Sequence, residues 1–381
     1  MRIGVDIRVL MDKQYSGISE YAYYLLREFL EIDNGENEYI FYYNSFRKIN
    51  PDLFTWCNSK VTFKNTAWPN KVFNYILQKF LAWPKLDSIT GPVDVFWSPH
   101  LNFSCFGNNA GKKVLTVHDL SFLRYPEFFS FRKNFWHQGL NIKKLVDKYD
   151  LIIAISENTK IDLIELLHVP AEKIKVIYSG LNKEAAVLSP AEAKIFKESN
   201  KLNERFILYL GAIEPRKNVG GLVEAYNLLR DKHLPLTDYQ LVLAGASGWK
   251  NKSVYKKVAD SLYRDDIKFL GYVSRAERNW LYSNASLFVY PSYYEGFGFP
   301  PLEAMAHDLA TITSDVSSLP EVVGNAALTI NPYSTLDLAR AIETLLLNTD
   351  LRTSYATKGL ERAKLFNWQT TATNYLNLFK E

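Results

Sequence analysis

Short runs of β-branched and aromatic residues alternate with helical patterns along the whole chain of 381 residues. The runs are RIGVDI, YIFYY, KVTFK, DVFWSP, KKVLTVHD, LIIAIS and IKVIYSG in the first half, and RFILYLG, YQLVLAG, IKFLGYV, LFVYPS, ATITSD and ALTINP in the second. Strands that alternate with helices form parallel sheets covered by helices on both faces. The sequence therefore predicts an α/β fold, and two such sheets fit its length better than one.

The boundary between the two sheets is predicted within residues 179–194, SGLNKEAAVLSPAEAK, which mix Gly, Pro and polar residues after the last strand of the first half. We therefore assign residues 1–182 to a first Rossmann-like domain and residues 183–366 to a second. The final helical pattern, residues 367–381, has an aromatic face of its own. We expect this helix to pack back onto the first domain.

The overall composition is that of an ordinary globular protein, with 47% hydrophobic residues, 23% charged residues and a net charge of +4. The charge is unevenly distributed, because residues 51–150 carry 13 Lys or Arg against 7 Asp or Glu. A basic, aromatic-rich region suits an anionic partner, either a phosphate group or a membrane surface.

The location of the protein is predicted from three features. Asp6 and Arg8 interrupt the apolar run that a signal peptide would need, and no apolar run is long enough to span a bilayer. Cys57 and Cys105 lack the spacing of metal ligands and are expected as free thiols in a reducing compartment. We expect a cytoplasmic protein, or at most one that lies on a membrane surface.

Ligands of open parallel sheets bind outside the carboxyl ends of the strands, so the residues after each strand are the informative ones. The strand RFILYLG is followed by AIEPRKN, which contains Arg216 and Lys217. Two adjacent cations at a strand-to-helix turn can hold a diphosphate, the arginine as a planar fork and the lysine as a mobile point charge. A solvated basic turn is the alternative.

The strand LFVYPS is followed by the stretch YYEGFGFPPLEAMA. Gly296 and Gly298 let the backbone come close to a ligand, and the next helix is expected to begin at Pro300 or Pro301. The N-terminus of that helix would direct free N–H groups and a partial positive charge towards a bound phosphate.

Two glutamates stand on either side of this turn, Glu295 in the loop and Glu303 in the predicted first turn of the helix. They are separated by seven residues, so we expect them to contact different parts of one extended ligand. Paired hydroxyl groups, as in a ribose and a hexose, are natural partners of a carboxylate. In the alternative interpretation Glu303 complements the helix dipole and Glu295 is a solvated loop residue.

Other candidates follow strands with weaker signals. His118 and Asp119 end the strand KKVLTVHD, and a role of His118 in the core or in a helix cap is the alternative to catalysis. Gly17, in SGISEY, is a candidate opening of the helix expected to begin near Ser19, which would be a second anion-binding terminus, and a plain glycine turn with a serine cap is the equally good alternative. Gly245 and the glycine at 248 follow YQLVLAG but lack the spacing of a phosphate loop, and the absence of GxGxxG argues against a dehydrogenase.

The chain resembles the retaining glycosyltransferases of the GT4 type, which have the GT-B fold of two Rossmann-like domains facing across a cleft. The resemblance covers essentially the whole chain and includes SGISEYAYYL, VLTVHDLSFLRYPE, DLIIAISENTK, ILYLGAIEPRKN and YPSYYEGFGFPPLEAMA. The segment SGISEY differs from the form SGIGRY, which is common in this family, at Ser19 and Glu20. The resemblance implies an acceptor-side first domain and a second domain that binds a nucleotide-diphospho sugar.

The resemblance also implies roles for individual residues. Arg216 and Lys217 would hold the diphosphate and stabilise its charge, Glu295 would contact the donor hexose, and His118 would reach that sugar from the first domain. The donor-binding set is Gly17, Asp119, Gly245, Tyr272, Val273, Gly296, Phe297, Gly298, Phe299 and Glu303. Within it, Glu303 would bind the ribose, and the backbone at 272 and 273 would read the base.

No metal-binding motif and no carboxylate nucleophile is evident, so the predicted enzyme is metal-independent and needs no cofactor. The predicted reaction is a front-face transfer with retention of configuration, in which the departing phosphate takes the acceptor's proton. The resemblance is to the mannosyltransferase branch, so GDP-mannose is the first donor and a glycan or lipid-linked sugar of a surface polysaccharide the expected acceptor. We expect no nucleic acid partner.

Three alternatives are kept open. The first is a rhamnosyl- or glucosyltransferase that uses a dTDP- or UDP-sugar. The second is a nucleotide-sugar epimerase, which needs no acceptor. The third is a sugar-nucleotide-binding protein without catalytic activity.

Two segments that combine basic and aromatic residues raise the possibility of peripheral membrane contact. They are WPNKVFNYILQKFLAWPK, residues 68–85, and FFSFRKNFWHQGLNIKKLVDK, residues 128–148. Both could rest at a layer of lipid headgroups on the inner membrane face. We favour the alternative, in which the aromatic rings face the domain core and the lysines face solvent.

Overall fold

The computed structural model describes residues 1–11, 17–46, 54–57, 60–70, 72–181, 186–232 and 237–381. These residues form two compact units. The first unit comprises Met1–Arg124, Phe131–Gly180 and Asn367–Glu381, and the second comprises Tyr125–Ser130 and Leu181–Phe366. Residues 125–130 therefore belong to the second unit, although the chain on either side of them belongs to the first.

The first unit contains a parallel sheet in which every strand predicted for the first half is present. The strands are β1 (Arg2–Asp6), β2 (Glu38–Tyr43), β3 (Val61–Asn65), β4 (Val95–Ser98), β5 (Lys112–Val117), β6 (Leu151–Ala154) and β7 (Ile174–Val176). Their order is β3-β2-β1-β4-β5-β6-β7, and Gly4 of β1 pairs with Ile40 of β2 and Phe96 of β4. The central strands are buried on both faces, as their continuous apolar runs predict.

Helices pack against this sheet. They are α1 (Gly17–Ile32), a π-helix (Val72–Leu81), α2 (Leu86–Thr90), α3 (Ser121–Arg124), α4 (Phe131–Leu140), α5 (Ile142–Val146) and α6 (Glu157–Leu167). Helix α1 buries Tyr21, Leu25 and Phe29, which stand four residues apart on one face. Helix α6 begins after Ser156, whose hydroxyl accepts from the Thr159 N–H.

The second unit contains its own parallel sheet, and the strands predicted for the second half are all present. They are β8 (Phe206–Leu210), β9 (Gln240–Ala244), β10 (Ile267–Gly271), β11 (Leu287–Tyr290), β12 (Thr311–Ser314) and β13 (Leu328–Ile330). Their order is β10-β9-β8-β11-β12-β13, and Leu208 of β8 pairs with Val242 of β9 and Phe288 of β11. The α/β prediction with two parallel sheets is confirmed.

The helices of the second unit are α7 (Pro190–Ser199), α8 (Val219–Asp231), α9 (Lys252–Ala259), α10 (Arg275–Asn284), α11 (Phe299–Ala306), α12 (Leu319–Val323), α13 (Thr335–Leu347) and α14 (Thr349–Ala363). Helix α7 begins inside residues 179–194, where the boundary is predicted, because Ser189 and Glu192 form a capping box there. Within the ranges given above, no helix combines the length and the apolar character that crossing a bilayer requires.

The last helix, α15 (Trp368–Lys380), belongs to the first unit. Its Tyr375 hydroxyl lies 2.7 Å from Thr116 Oγ1 of β5 and also contacts the Tyr21 hydroxyl of α1. The first residue of α15 packs closely against Gly180, since a Cβ atom on Gly180 would lie 2.3 Å from the Trp368 nitrogen. Aromatic packing and buried hydroxyl contacts thus fix α15 against α1 and β5.

Candidate active site

The sheet of the second unit has one point at which its winding direction reverses. The chain proceeds from β8 to β9 and β10 on one side, and from β11 to β12 and β13 on the other. Ligands of doubly wound sheets bind in the crevice outside the carboxyl ends of the strands at such a point. The loop after β8 carries Arg216 and Lys217 and the loop after β11 carries Glu295, so the fold brings the strongest sequence candidates together.

Arg216 and Lys217 lie in a short 3₁₀-helix, Pro215–Lys217, between β8 and α8. Asn218 follows in a left-handed conformation with φ of 52° and starts α8. Its side chain donates to the Pro332 carbonyl at 2.8 Å, which ties this turn to a neighbouring loop. The two cations are not a solvated basic turn, because Lys217 is buried at 8% exposure and the Arg216 side chain is 15% exposed.

Glu295 pairs with both cations. Arg216 Nη1 donates to Glu295 Oε2 at 3.0 Å, and Lys217 Nζ donates to Glu295 Oε1 at 2.5 Å. The same Oε1 atom accepts from the Ser292 hydroxyl at 2.7 Å and from the Tyr290 hydroxyl at 3.0 Å. Lys217 also donates to the Tyr290 hydroxyl. Glu295 is therefore buried and paired, which contradicts its alternative interpretation as a solvated loop residue.

The electrostatic surroundings keep Glu295 ionised. Burial alone raises the pKa of its carboxyl group, but the positive charges of Arg216 and Lys217 outweigh burial and lower the pKa to about 2. At neutral pH the carboxylate has no proton to donate, so it is unsuited to act as a general acid. It remains a strong acceptor for hydroxyl groups.

Glu214, which sequence reasoning did not single out, completes this charge cluster. Its Oε1 atom accepts from Arg216 Nε at 3.2 Å and from Nη2 at 3.0 Å, and the residue is buried at 3% exposure. Arg216 Nη1 also donates to the Tyr294 carbonyl at 3.0 Å. The cluster thus contains two cations, Arg216 and Lys217, and two carboxylates, Glu214 and Glu295. Each of the four side chains forms an ion pair with another member, and their charges balance.

The backbone around Glu295 is held by two serines that lie more than twenty residues away in sequence. Ser317 Oγ accepts from the Glu295 N–H at 2.9 Å, and Ser318 Oγ donates to the Glu295 carbonyl at 2.9 Å and the Phe297 carbonyl at 2.7 Å. Sequence reasoning missed both serines. Tyr290 and Ser292 were also missed, although their place at the end of β11 is the signal that could have found them.

The Gly-Phe-Gly-Phe turn leads directly into α11. Gly298 has a φ of 120°, and a Cβ atom there would lie 2.9 Å from Leu319 Cδ2, so the position requires glycine. The ring of Phe297 is buried, and its centroid lies 5.7 Å from that of Phe366.

Helix α11 begins at Phe299, one residue before the predicted start. Because Pro300 and Pro301 have no N–H group, the first turn offers fewer donors to an anion than most helices do. Because the helix begins at Phe299, Glu303 lies beyond its first turn. The prediction that placed Glu303 within the first turn is therefore wrong. The interpretation that Glu303 complements the helix N-terminus from the first turn is therefore wrong as well.

Glu303 forms a pair of its own with α10. The Tyr282 hydroxyl donates to Glu303 Oε2 at 2.9 Å, and Arg278 Nη1 lies 3.5 Å from Glu303 Oε1. Both oxygens of this carboxylate are thus held by side chains of α10. Its proposed ribose contact remains a prediction.

The remaining donor-site candidates of the second unit lie in the loops after β9 and β10. Tyr272 is 80% exposed, and Val273 packs partly against the core. Gly245 has a φ of 137°, and a Cβ atom there would lie 2.1 Å from the Gly211 carbonyl oxygen. Close approach of two loops thus explains Gly245 structurally, and the predicted ligand contacts of these residues are untested.

The candidates of the first unit are His118, Asp119 and Gly17. His118 follows β5, and its Nε2 atom lies 2.8 Å from the Pro99 carbonyl oxygen. Asp119 Oδ1 accepts from the Ser121 N–H and hydroxyl at 2.9 and 2.5 Å, so it caps α3. Gly17 is the first residue of α1, two residues earlier than the predicted start near Ser19.

The His118 imidazole is neutral at physiological pH. Burial lowers its pKa to about 4, although the hydrogen bond to Pro99 and the charge of Asp119 act in the opposite direction. A carbonyl oxygen can only accept, so Nε2 carries the proton and Nδ1 has the free lone pair. His118 can therefore accept a hydrogen bond through Nδ1, and its predicted role at the donor sugar stays a prediction.

Comparison with known sequences decides the family. The chain is 33% identical to O-antigen chain mannosyltransferase B of Escherichia coli over 273 residues, which cover 71% of this chain and 70% of that protein. Residues 15–185 match the model described as Glycosyltransferase Family 4, and residues 191–362 match Glycosyl transferases group 1. The chain belongs to glycosyltransferase family 4. It is thus a glycosyltransferase, and the predicted family is confirmed.

Two further comparisons extend this result. The serotype-specific mannosyltransferase WbdA of Escherichia coli is 33% identical over 265 residues, and this glycosyltransferase spans 32% of its length. Sucrose-phosphate synthase of Thermosynechococcus elongatus matches the structure with a TM-score of 0.73 at 19% identity, over 100% of this chain and 98% of that one. The structural match confirms the predicted GT-B fold.

Proposed function

We propose that this glycosyltransferase transfers a mannosyl group from GDP-mannose to a glycan or lipid-linked acceptor during synthesis of a surface polysaccharide. The buried cluster of Arg216, Lys217 and Glu295 at the reversal point of the second sheet carries the proposal. Two cations at this place suit a diphosphate, and an ionised carboxylate beside them suits the hydroxyls of a hexose. Both relatives are named as mannosyltransferases, which supports the choice of sugar, and the name O-antigen chain mannosyltransferase B supports the choice of acceptor.

The proposed mechanism is a front-face transfer with retention. The bond between the sugar's anomeric carbon and the diphosphate oxygen breaks, and a bond to the acceptor oxygen forms on the same face. The acceptor's proton passes to the departing diphosphate. Arg216 and Lys217 stabilise the charge that develops on the diphosphate, which is a task that a metal ion performs in other enzymes. We propose a metal-independent reaction on this ground.

Nucleotide binding tests the donor assignment. A ligand that binds only the folded state raises the melting temperature, by an amount equivalent to about 2.7 kcal/mol at 100 times its Kd. In a thermal-shift series with GDP, UDP, dTDP and ADP, we expect the largest shift with GDP. A shift with UDP or dTDP alone would contradict GDP-mannose and favour a glucosyl- or rhamnosyltransferase.

Turnover tests the reaction. Release of GDP from GDP-mannose should depend on an acceptor glycan, and the product should keep the α-configuration of the donor by NMR. Conversion of the sugar nucleotide without any acceptor would instead indicate an epimerase. Nucleotide binding without release or transfer would indicate a non-catalytic binding protein.

We further propose that the protein is cytoplasmic and contacts the inner face of the membrane through the first unit. The expectation that the aromatic rings of residues 68–85 face the core is only partly right, because Phe73 is buried whereas Phe80 and Trp83 are 72% and 55% exposed. On α4, Phe131 is 85% and Phe135 is 63% exposed.

The basic residues beside these rings favour an anionic surface. Segment 68–85 contains no acidic residue, and neither do residues 128–146. Lys79 of the π-helix lies close to α4, since its Nζ atom would lie 3.5 Å from a Cβ atom on Gly139. Exposed aromatic rings and lysines together suit anionic headgroups.

Liposome flotation tests this contact. Vesicles with anionic lipid should carry the protein at low salt, and the double variant Phe80→Ser/Phe131→Ser should stay behind. The matched double variant Leu262→Ser/Leu365→Ser, which changes two exposed apolar residues of the second unit, should float like the wild type. No flotation of the wild type at low salt would remove the membrane proposal.

A further inference from the structure

The guanidinium group of Arg216 is held on two edges by different partners. Glu214 Oε1 accepts from Nε and Nη2, while Glu295 Oε2 and the Tyr294 carbonyl accept from Nη1. Glu214 and Arg216 lie in one turn of chain, two residues apart. Glu295 and Tyr294 lie in the loop after β11. The two edges are therefore controlled by separate segments of the second unit.

Glu214 itself is fixed in place. It is 3% exposed, and its backbone is covered by the loop after β9, where the Gly248 N–H donates to the Ile213 carbonyl at 3.2 Å. A Cβ atom on Gly248 would lie 2.7 Å from the Ile213 oxygen and 3.2 Å from Glu214 Cβ. A carboxylate enclosed in this way has one orientation to offer to the arginine.

The first unit contains a similar arrangement. Asp6, the last residue of β1, also stands two residues before an arginine, and its Oδ1 accepts from Arg8 Nε at 2.8 Å while its Oδ2 accepts from Nη2 at 2.6 Å. In both units a buried carboxylate thus grips the Nε and Nη2 edge of the arginine two residues later. In the second unit, Glu214 leaves the Nη1 group as the edge directed at Glu295.

We propose that Glu214 is a positioning residue that keeps Arg216 aimed at the diphosphate of the donor. The inference rests on the proposed role of Arg216. When a donor is bound, Glu295 is needed at the sugar, and Arg216 then exchanges this partner for phosphate oxygens. Glu214 keeps the Nε and Nη2 edge occupied throughout, so the guanidinium does not have to reorient as charge develops on the leaving group.

Steady-state kinetics of wild type, Glu214→Ala, Glu214→Gln, Arg216→Ala and the double variant Glu214→Ala/Arg216→Ala test the inference. We expect Glu214→Ala to lower kcat by about 10- to 30-fold with a change in the donor KM below about threefold, because the interaction matters most in the transition state. Glu214→Gln keeps an acceptor oxygen at the same reach and should recover kcat to within about threefold of wild type. Glu198→Ala, at an exposed site on α7, is the matched control and should be unchanged.

The double variant separates this inference from the proposed function. If Glu214 acts through Arg216, adding Glu214→Ala to Arg216→Ala should cost less than about twofold, because coupled residues are not additive. Multiplied losses, or a Glu214→Ala kcat within about threefold of wild type while Arg216→Ala is impaired, would overturn the inference alone. Full turnover of Arg216→Ala would instead overturn the proposed function. Should Glu214→Ala unfold, as shown by circular dichroism, the comparison uses Glu214→Asp, whose shorter side chain is expected to lower kcat below that of Glu214→Gln.

Discussion

At the reversal point of each sheet, a carboxylate pairs with the arginine two residues later, but the further partners of that arginine differ between the two sheets. In the first unit the point lies between β1 and β4, where Asp6 is the last residue of β1 and Arg8 follows it by two residues. Besides its hydrogen bonds to Asp6, Arg8 donates to Asn74 Oδ1 at 3.1 Å and the Phe103 carbonyl at 2.8 Å. The Tyr42 ring packs over the guanidinium at 5.5 Å. Every partner of Arg8 is thus fixed, and no second cation shares its carboxylate among the described contacts.

In the second unit the corresponding pair is extended by groups from another loop. Arg216 keeps Glu214 as a local partner, but Glu295 arrives from the loop after β11 together with its contact to Lys217. A carboxylate on a separate loop can leave the cations without breaking the local pair. The comparison teaches that the partners of the first arginine all belong to the fold of its unit, whereas the second arginine shares a carboxylate with Lys217, which is the pair that we propose binds an anionic ligand.

Removal of the first arginine should therefore damage folding. Arg8→Met leaves Asp6 buried without its partner, and we expect the free energy of unfolding to fall by about 3–5 kcal/mol. Urea denaturation followed by circular dichroism measures the loss. Arg2→Met changes an exposed arginine at the first position of the same strand and should stay close to wild type. A loss below about 1 kcal/mol for Arg8→Met would mean that the two reversal points do not differ in this way.

Removal of a cation from the second unit should damage turnover instead. We expect Lys217→Ala to lower kcat about 100-fold, equivalent to about 2.7 kcal/mol, because the lysine stabilises charge that develops on the leaving diphosphate. Lys256→Ala, at an exposed position of α9, is the matched control. A loss below about tenfold in the initial-rate assay would show that the cation pair is not part of the reaction.

The pH dependence of stability should report on the first unit through His118. Its pKa is about 4 in the folded state and about 6.5 when unfolded, so below pH 6.5 only the unfolded state gains a proton. Its contribution to stability is thus complete above pH 6.5 and is lost as the pH falls towards 4. Between pH 7 and pH 5 we expect the free energy of unfolding of His118→Asn to fall by roughly 1–2 kcal/mol less than that of the wild type. An equal loss of stability for His118→Asn and the wild type between pH 7 and pH 5 would mean that burial does not hold His118 neutral.

The smallest expected effect concerns Glu303. Tyr282→Phe removes one hydrogen bond to Glu303 Oε2, and we expect the donor KM to rise about fivefold, equivalent to about 1 kcal/mol, with kcat unchanged. Tyr255→Phe on α9 is the matched control. An unchanged KM would separate the Glu303 pair from the donor site and restrict that site to the cluster around Glu295.

The strands and the central cations could be predicted because local patterns encode them. Buried parallel strands read as continuous apolar runs, and Arg216, Lys217 and Glu295 follow such runs directly. The partners that hold Glu295 could not be predicted in the same way. Ser317 and Ser318 come from the loop after β12, and only the folded chain brings them to the Glu295 backbone.

Two errors have local physical causes. Helix α11 begins at Phe299 because Gly298 adopts a φ of 120° that ends the preceding turn, whereas the two prolines suggested a later start. Glu214 lies in the segment AIEPRKN beside Arg216 and Lys217, but the sequence does not reveal which edge of the arginine side chain the carboxylate contacts. Side-chain geometry of this kind becomes visible only in the structure.

The central claim is that the cluster after β8 and β11 binds the donor diphosphate, and a crystal structure with bound nucleotide sugar tests it most directly. We predict that diphosphate oxygens lie within about 3 Å of Arg216 and Lys217, with Glu295 turned from the cations to a sugar hydroxyl and Glu214 still on the Nε edge of Arg216. A nucleotide bound elsewhere, with the pairs between Glu295 and both cations intact, would contradict the account.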